Sequence, residues 1–254
     1  MITGYGHFAQ LAESLQWDET TVDLSTDIES WTELEDSEYD QVLGLIAGFC
    51  VGETSVATHL TSFRAAASTD DMMAEVFAAQ ARDEARHARF FDRVVREVCG
   101  VPGTTMSERV DALRDRISTE LVELFEERLP AIARGLADSD EDLTTAVGLY
   151  HMILEGVVLT AGQHALLDAL EKLSVPMPGM RKGMELVLRD ERWHIGFGSR
   201  VIQSADLVDN DLEKILNEGS KAAWAWGDLI SSKDIEKVDQ LHKRRLKSVG
   251  IKFW

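Results

Sequence analysis

Two short segments carry metal-ligand chemistry: Asp83-Glu84-Ala85-Arg86-His87 and Asp190-Glu191-Arg192-Trp193-His194 each hold Glu-x-x-His behind a second acid. On a helix the three-residue step puts the glutamate and the histidine on one face. Two solitary glutamates complement them. Glu53 is the only charged residue between Gln41 and Phe63, and Glu155 is the only one between Ala146 and His164. A carboxylate buried alone in an apolar segment is costly, so each of these two is protonated, exposed or bound to a cation. Four carboxylates balance two divalent cations, and one imidazole for each suits iron or manganese without any thiolate. The candidate ligands are therefore Glu53, Glu84, His87, Glu155, Glu191 and His194. Asp83 and Asp190 are candidates to hydrogen-bond a ligand histidine and fix its tautomer. A chain with 45 acids and seven histidines also produces such pairs by chance, and a third, Asp239 with His242, lacks a solitary glutamate and reads as a solvated decoy.

The elements that must position these residues are helices. Only four prolines interrupt 254 residues, long stretches are rich in Ala, Leu, Glu and Arg, and no strand-like alternation competes. The pattern predicts helices over 36–67, 70–98, 106–136, 140–172 and 179–204, with shorter ones over 209–230 and 233–247. The first 35 residues read as an arm with at most short helices that wraps the body. In 106–136, Val110, Leu113, Ile117, Leu121 and Leu124 form the apolar stripe, Glu120, Glu123, Glu126 and Glu127 the solvated face, and Pro130 a kink or early end. In an antiparallel hairpin, residues equidistant from the turn lie level. The midpoint of Glu53 and Glu84 falls at Ser68 and Thr69, the predicted turn, and that of Glu155 and Glu191 at Leu173, beside the loop Ser174 to Gly179. Two hairpins, each with one Glu and one Glu-x-x-His, match the bundle-core site of ferritin-like di-iron and di-manganese proteins.

The whole-chain properties narrow the function. A net charge of -19 argues against a nucleic-acid partner. Cys50 and Cys99 are too few for a disulfide framework and read as buried free thiols, which suits a reducing cytoplasm. No signal segment opens the chain, and the longest uninterrupted apolar stretch, Val42 to Gly52, is too short for a membrane span, so a cytoplasmic protein is expected.

The order Glu, Glu-x-x-His, Glu, Glu-x-x-His and its intervals resemble the ribonucleotide reductase small-subunit superfamily over roughly residues 15–205. Within it the chain is most similar to the R-two-like ligand-binding oxidases, on Val56, three residues after Glu53, and Tyr150, five before Glu155. The resemblance implies an all-α fold, a ferritin-like four-helix bundle with additional helices and a dinuclear metal site in its core. It implies a single domain over 1–254, with an arm over 1–35, the metal-binding bundle over 36–205 and C-terminal helices over 206–254. It also implies two metal ions, Mn and Fe or else Fe/Fe, with Glu53, Glu84 and His87 at one site, Glu155, Glu191 and His194 at the other, and Glu84 and Glu191 bridging. The implied reaction is activation of dioxygen and oxidation of a carbon-hydrogen bond, beside a long-chain fatty-acid-like ligand, with an ether cross-link between Val56 and Tyr150. A homodimer follows from the resemblance alone.

Two other functions stay open at this level. A radical-generating reductase subunit normally has a tyrosine four residues after the first ligand histidine, where this chain has Phe91, and the only tyrosines are Tyr5, Tyr39 and Tyr150. A ferritin-type iron-binding protein fits the ligand order less well. The chain is shorter than usual for the oxidase branch and has Gln163 and His164 beside Gly162, where an aromatic group is expected. His59, His151 and His164 are polar neighbours of the expected site, while Leu45, Phe49, Phe91, Met152 and Val158 are expected to exclude water and to line any ligand pocket.

Overall fold

The structure, a computed structural model, describes residues 4–205 and 210–250. The arm is helical, with α1 over Tyr5–Ser14, a 3-10 turn over Glu19–Thr21 and α2 over Ser25–Trp31. Helix α3 (Asp36–Ala66) starts at a capping box in which Glu35 and Glu38 bond each other's backbone N–H. Glu38 also accepts from Ser174 N and Oγ at 2.8 and 2.9 Å, tying the loop of the second hairpin to the start of the first. The chain turns at Ala67–Asp70, and the Asp70 carboxylate accepts from Met72 N and Met73 N at 3.1 and 3.0 Å to start α4 (Asp71–Arg93). A π turn, Val94–Val98, ends that helix.

Residues 106–136 depart from the expected single helix. Helix α5 (Met106–Ala112) and a 3-10 turn end at Ile117, whose backbone is extended (φ -100°, ψ 126°). Ser118 then caps α6, which runs through Thr119–Val122, a π segment Glu123–Arg128 and Leu129–Asp138. The break has a physical cause: Ser118 Oγ accepts from Leu121 N at 3.1 Å and donates to the Ala225 carbonyl at 2.5 Å, offering the chain a competing start signal. Val110, Leu113, Ile117, Leu121 and Leu124 are nonetheless all buried, and the four glutamates are exposed. Pro130 does not end α6. The wider π winding just before it removes the tight turn that its ring would strike.

The second hairpin pairs α7 with α8 (Pro178–Ser204). Helix α7 is composite: Leu143–Val147 is α-helical, Gly148–Leu159 is π-wound and Thr160–Lys172 is α-helical again. No residue next to α8 caps it. Instead Asp27 of α2, fully buried, accepts from Gly179 N and Met180 N at 2.8 and 2.6 Å. Gly179 is required there, since a Cβ would sit 2.1 Å from the Asp23 carbonyl oxygen. Helix α9 (Asn210–Ala222), a 3-10 segment Ala223–Leu229 broken at Gly227 (φ 57°) and α10 (Ser232–Ser248) cover the second hairpin.

The apolar core is continuous from Phe8 of the arm to Val249. By length and apolarity alone the spans Asp36–Ala66 and Leu143–Lys172 could cross a bilayer, which the count of uninterrupted apolar residues missed. Their apolar windows are 72% and 89% buried inside the bundle, so the fold itself accounts for that apolarity. His242 is also not solvated. It is fully buried where α10 packs on α9, its Nε2 2.9 Å from the Leu216 carbonyl, and it belongs to no group of candidate metal ligands among the described residues.

Candidate metal centre

Each long helix of the two hairpins presents its acid at the same height, as the midpoint counting requires. Ligand atoms of Glu53, Glu84, His87 and Glu191 all lie within 4.8 Å of one another, and so do those of Glu84, Glu155, Glu191 and His194. His87 Nδ1 lies 3.6 Å from Glu53 Oε2, 3.3 Å from Glu84 Oε2 and 3.7 Å from Glu191 Oε1. His194 Nδ1 lies 2.9 Å from Glu84 Oε1, 3.5 Å from Glu155 Oε1 and 3.7 Å from Glu191 Oε2. Glu84 and Glu191 therefore turn one oxygen to each imidazole, as bridging carboxylates do, while Glu53 and Glu155 each face one.

These contacts are not hydrogen bonds. Both oxygens of Glu53 and of Glu191, one each of Glu84 and Glu155, and Nδ1 of both histidines are buried without a hydrogen-bond partner. Orphaned atoms at this density are rare in folded proteins. They converge at spacings of about 3–4 Å, those of donors bonded to one cation at roughly 2.1 Å. The buried carboxylate and histidine group thus suits two metal ions.

The far nitrogens of the imidazoles settle which face is free. His87 Nε2 meets Asp190 Oδ2 at 3.2 Å, and His194 Nε2 lies 3.5 Å from Asp83 Oδ2, so each acid serves the histidine of the other motif. The Asp190 carboxylate holds the ring proton of His87 on Nε2 and leaves its Nδ1 lone pair facing the carboxylate cluster, while the charge of Asp83 beside His194 Nε2, an ion-pair contact without a hydrogen bond, favours the same tautomer there. Arg86 joins the two acids, with Nη2 at 2.6 Å from Asp83 and 2.9 Å from Asp190. The arm closes this side: Trp17 Nε1 donates to Asp190 at 2.6 Å, and Gln16 bonds both Arg86, at 2.8 Å, and Asp83, at 3.2 Å.

Without cations the cluster holds protons instead. Burial pushes the Glu53 carboxyl up to about 8, against the pull of His87, and lifts Glu155 and Glu191 as well, with neighbouring glutamates adding to the effect. Burial would also lift Glu84, but the two histidines outweigh it and hold that group well below the carboxylate range. Burial alone would depress both imidazoles; the surrounding carboxylates reverse this and raise them. Each raised group is a proton that a cation displaces.

Tyr150 is fully buried and donates from its hydroxyl to Glu84 Oε1 at 2.9 Å. Burial and the charges of Glu155 and Glu84 hold its phenol well above the ordinary range, so it stays protonated. The residue that sequence reasoning missed is Gln80, whose Nε2 donates to Glu155 Oε1 at 2.8 Å and to Tyr150 Oη at 3.0 Å. It stands one turn before Glu84 on the ligand face of α4, with no charge to mark it in the sequence. His151 joins through Gln80 Oε1 at 3.0 Å, its imidazole pushed down to about 3 by burial and so neutral. Val56 is buried one turn after Glu53.

His59 bonds the carbonyl of Ser55 in its own helix at 2.7 Å, and His164 lies 3.4 Å from Lys237 Nζ, both away from the cluster. The aromatic group expected near Gly162 comes from elsewhere: the Trp226 ring occupies the space a Cβ at Gly162 would need. Leu45, Phe49, Phe91, Met152 and Val158 are buried core, with Phe49 and Phe91 stacked at 5.0 Å. A cavity of about 440 Å³ opens under the exposed Trp224, with Ile153 and Leu124 in its lining.

Solved structures share this fold. A valine-to-leucine variant of an R2-like ligand-binding oxidase, with an anaerobically reconstituted Mn/Fe cofactor, superimposes with a TM-score of 0.82 at 21% identity, covering 98% of this chain and 94% of that one. The R2-like ligand-binding oxidase from Sulfolobus acidocaldarius gives 0.78 at 23% identity, over 98% and 91%. A tyrosine-to-phenylalanine variant of such an oxidase, with an aerobically reconstituted Mn/Fe cofactor, gives 0.77 at 21% identity, over 98% and 91%. The sequence profile of the ribonucleotide reductase small chain family matches residues 5–241. With four helices carrying the ligand cluster and nearly the whole length matched, the chain belongs to the ribonucleotide reductase small chain family.

Proposed function

We propose that this protein is a dinuclear Mn/Fe oxidase that activates dioxygen and oxidises a carbon-hydrogen bond. The observation that carries this reading is the pair Glu84 and Glu191, each turning one oxygen to each histidine, with further carboxylate and imidazole atoms buried and unpartnered around them. Glu53, Glu84 and His87 would hold one metal, manganese, and Glu155, Glu191 and His194 the other, iron, with Glu84 and Glu191 shared. The bound pair supplies the electrons that reduce dioxygen and the oxidising power that follows. The similarity to ligand-binding oxidases with Mn/Fe cofactors supports the choice of metals and of oxidase chemistry.

The chain's own residues do the rest. Leu45, Phe49, Phe91 and Val158 exclude water. Gln80 steadies Glu155 and the Tyr150 hydroxyl together. Tyr150 holds a proton directed at Glu84. The Val56 Cβ carries a tertiary hydrogen, the weakest aliphatic carbon-hydrogen bond that a valine offers. Joining Val56 Cβ to Tyr150 Oη as an ether removes two hydrogens, as two protons and two electrons, with dioxygen as the oxidant. A long-chain fatty acid or similar apolar molecule is the proposed ligand.

Mass spectrometry tests this directly. After aerobic loading with Mn²⁺ and Fe²⁺, the intact chain is expected to weigh two hydrogens less, with the deficit localised to linked peptides containing Val56 and Tyr150. A chain that takes up two metals and keeps its full mass would overturn the cross-link, and one that takes up none would overturn the oxidase. A radical subunit is the weaker reading, because Phe91, packed on Phe49, offers no oxidisable hydroxyl beside His87.

A further inference from the structure

The winding of α7 changes directly after a candidate ligand. Its last π step runs from Thr160 N–H to the Glu155 carbonyl, and the helix is α from Thr160 onward. Thr160 N–H bonds the Glu155 carbonyl and also the Val157 carbonyl, so the Gly156 carbonyl between them is the acceptor that the change of winding passes over. A buried carbonyl without a donor is destabilising.

The C-terminal segment provides the missing donor. Arg245 of α10 donates from Nη1 to the Gly156 carbonyl, and Gly156 is open enough for this approach, since a Cβ there would stand 3.1 Å from that nitrogen. Two residues further on, Trp226 Nε1 donates to the Val158 carbonyl at 2.7 Å. Its ring fills a slot made by Gly48 and Gly162, where added Cβ atoms would fall 2.3 and 2.2 Å from it. Thr160 Oγ1 adds a bond to the Glu155 carbonyl at 2.7 Å. Three carbonyls in the four residues from Glu155 to Val158 thus receive side-chain donors, two of them from beyond the second hairpin.

We propose that Arg245, supported by Trp226, is a positioning residue that locks the π-to-α junction of α7 and thereby holds Glu155 in the dinuclear site. The inference rests on the metal-centre reading above. If the junction slips to continuous α winding, the residues on its two sides rotate relative to each other by about 100°, one helical residue, and Glu155 leaves Gln80 and His194. The guanidinium suits the task because it is planar, permanently charged and rich in donors.

The test is an anaerobic Mn²⁺ titration of wild type, Arg245→Met, Arg245→Lys and Trp226→Phe, paired with backbone amide exchange at 160–163 in the metal-free proteins. Wild type is expected to bind two ions per chain. Arg245→Met is expected to keep one at wild-type affinity and to weaken the other about 10–100-fold, the scale for losing a group that supports a ligand. Its amides at 160–163 should exchange faster. Arg245→Lys should recover part of both losses, and Trp226→Phe, which leaves a smaller aromatic ring in the slot and loses the donor, should fall between. Two ions at wild-type affinity and unchanged exchange in Arg245→Met overturn the proposal. Should that variant not fold, the same result in both Arg245→Lys and Trp226→Phe overturns it. Wild type that binds no pair of ions sinks the metal reading instead, and the exchange measurement still decides the lock.

Discussion

Each imidazole of the centre turns one nitrogen to the carboxylate cluster and one to an aspartate, and the aspartates are exchanged between the motifs. Asp190→Asn and Asp83→Asn leave the cluster intact but weaken the grip on the Nε2 proton, so each is expected to lower metal affinity about 10–100-fold, measured by competition with a chromophoric chelator. The raised groups fix a pH dependence. Glu53 is lifted from 4.5 to about 8, so in the metal-free protein it contributes stability below 4.5 that is lost as pH rises through 8. The raised histidines act in the same direction, while Glu84, depressed, loses its contribution only at acid pH. The melting-temperature gap between metal-loaded and metal-free protein should therefore widen from about pH 5 to about pH 8. A constant gap would show that no proton is displaced. At this scale the acids and histidines were legible because a solitary charge in an apolar segment is conspicuous. Gln80 was not, because a neutral amide stands out in no composition.

Helices explain what the residue pattern could and could not say. The turns between the ligand helices were legible from equidistance, and Asp70 caps the helix that leaves the first of them. The break at Ser118 was not, because the stripe from Val110 to Leu124 keeps its spacing across it. Nor was the π winding of Gly148–Leu159, since all twelve residues are buried and a helix without a polar face has no period to read. That winding gives the interval of five between Tyr150 and Glu155 its meaning, because five residues in a π turn return to the same side and Gln80 reaches both. Removing the caps gives modest, separable losses: Ser118→Ala and Asp70→Ala are each expected to cost about 1 kcal/mol in chemical denaturation. Gly179→Ala should cost more, about 1–3 kcal/mol, because the Asp23 backbone stands where the methyl group must go.

For the molecule as a whole, the metals are part of the stability. Two ions at a hundredfold excess over their dissociation constants add about 5 kcal/mol, which should move the calorimetric melting temperature on the order of 10 °C when a chelator strips them. The cap that Asp27 places on Gly179 and Met180 has a bearing on synthesis. Asp27 leaves the ribosome well before its capping partner on α8, which emerges about 150 residues later, at roughly ten seconds of elongation or more. Asp190, Glu191 and His194 follow still later. The newborn chain can thus fold its first hairpin early, but its four-helix ligand cluster cannot close, nor its two metals be held, until α8 has followed.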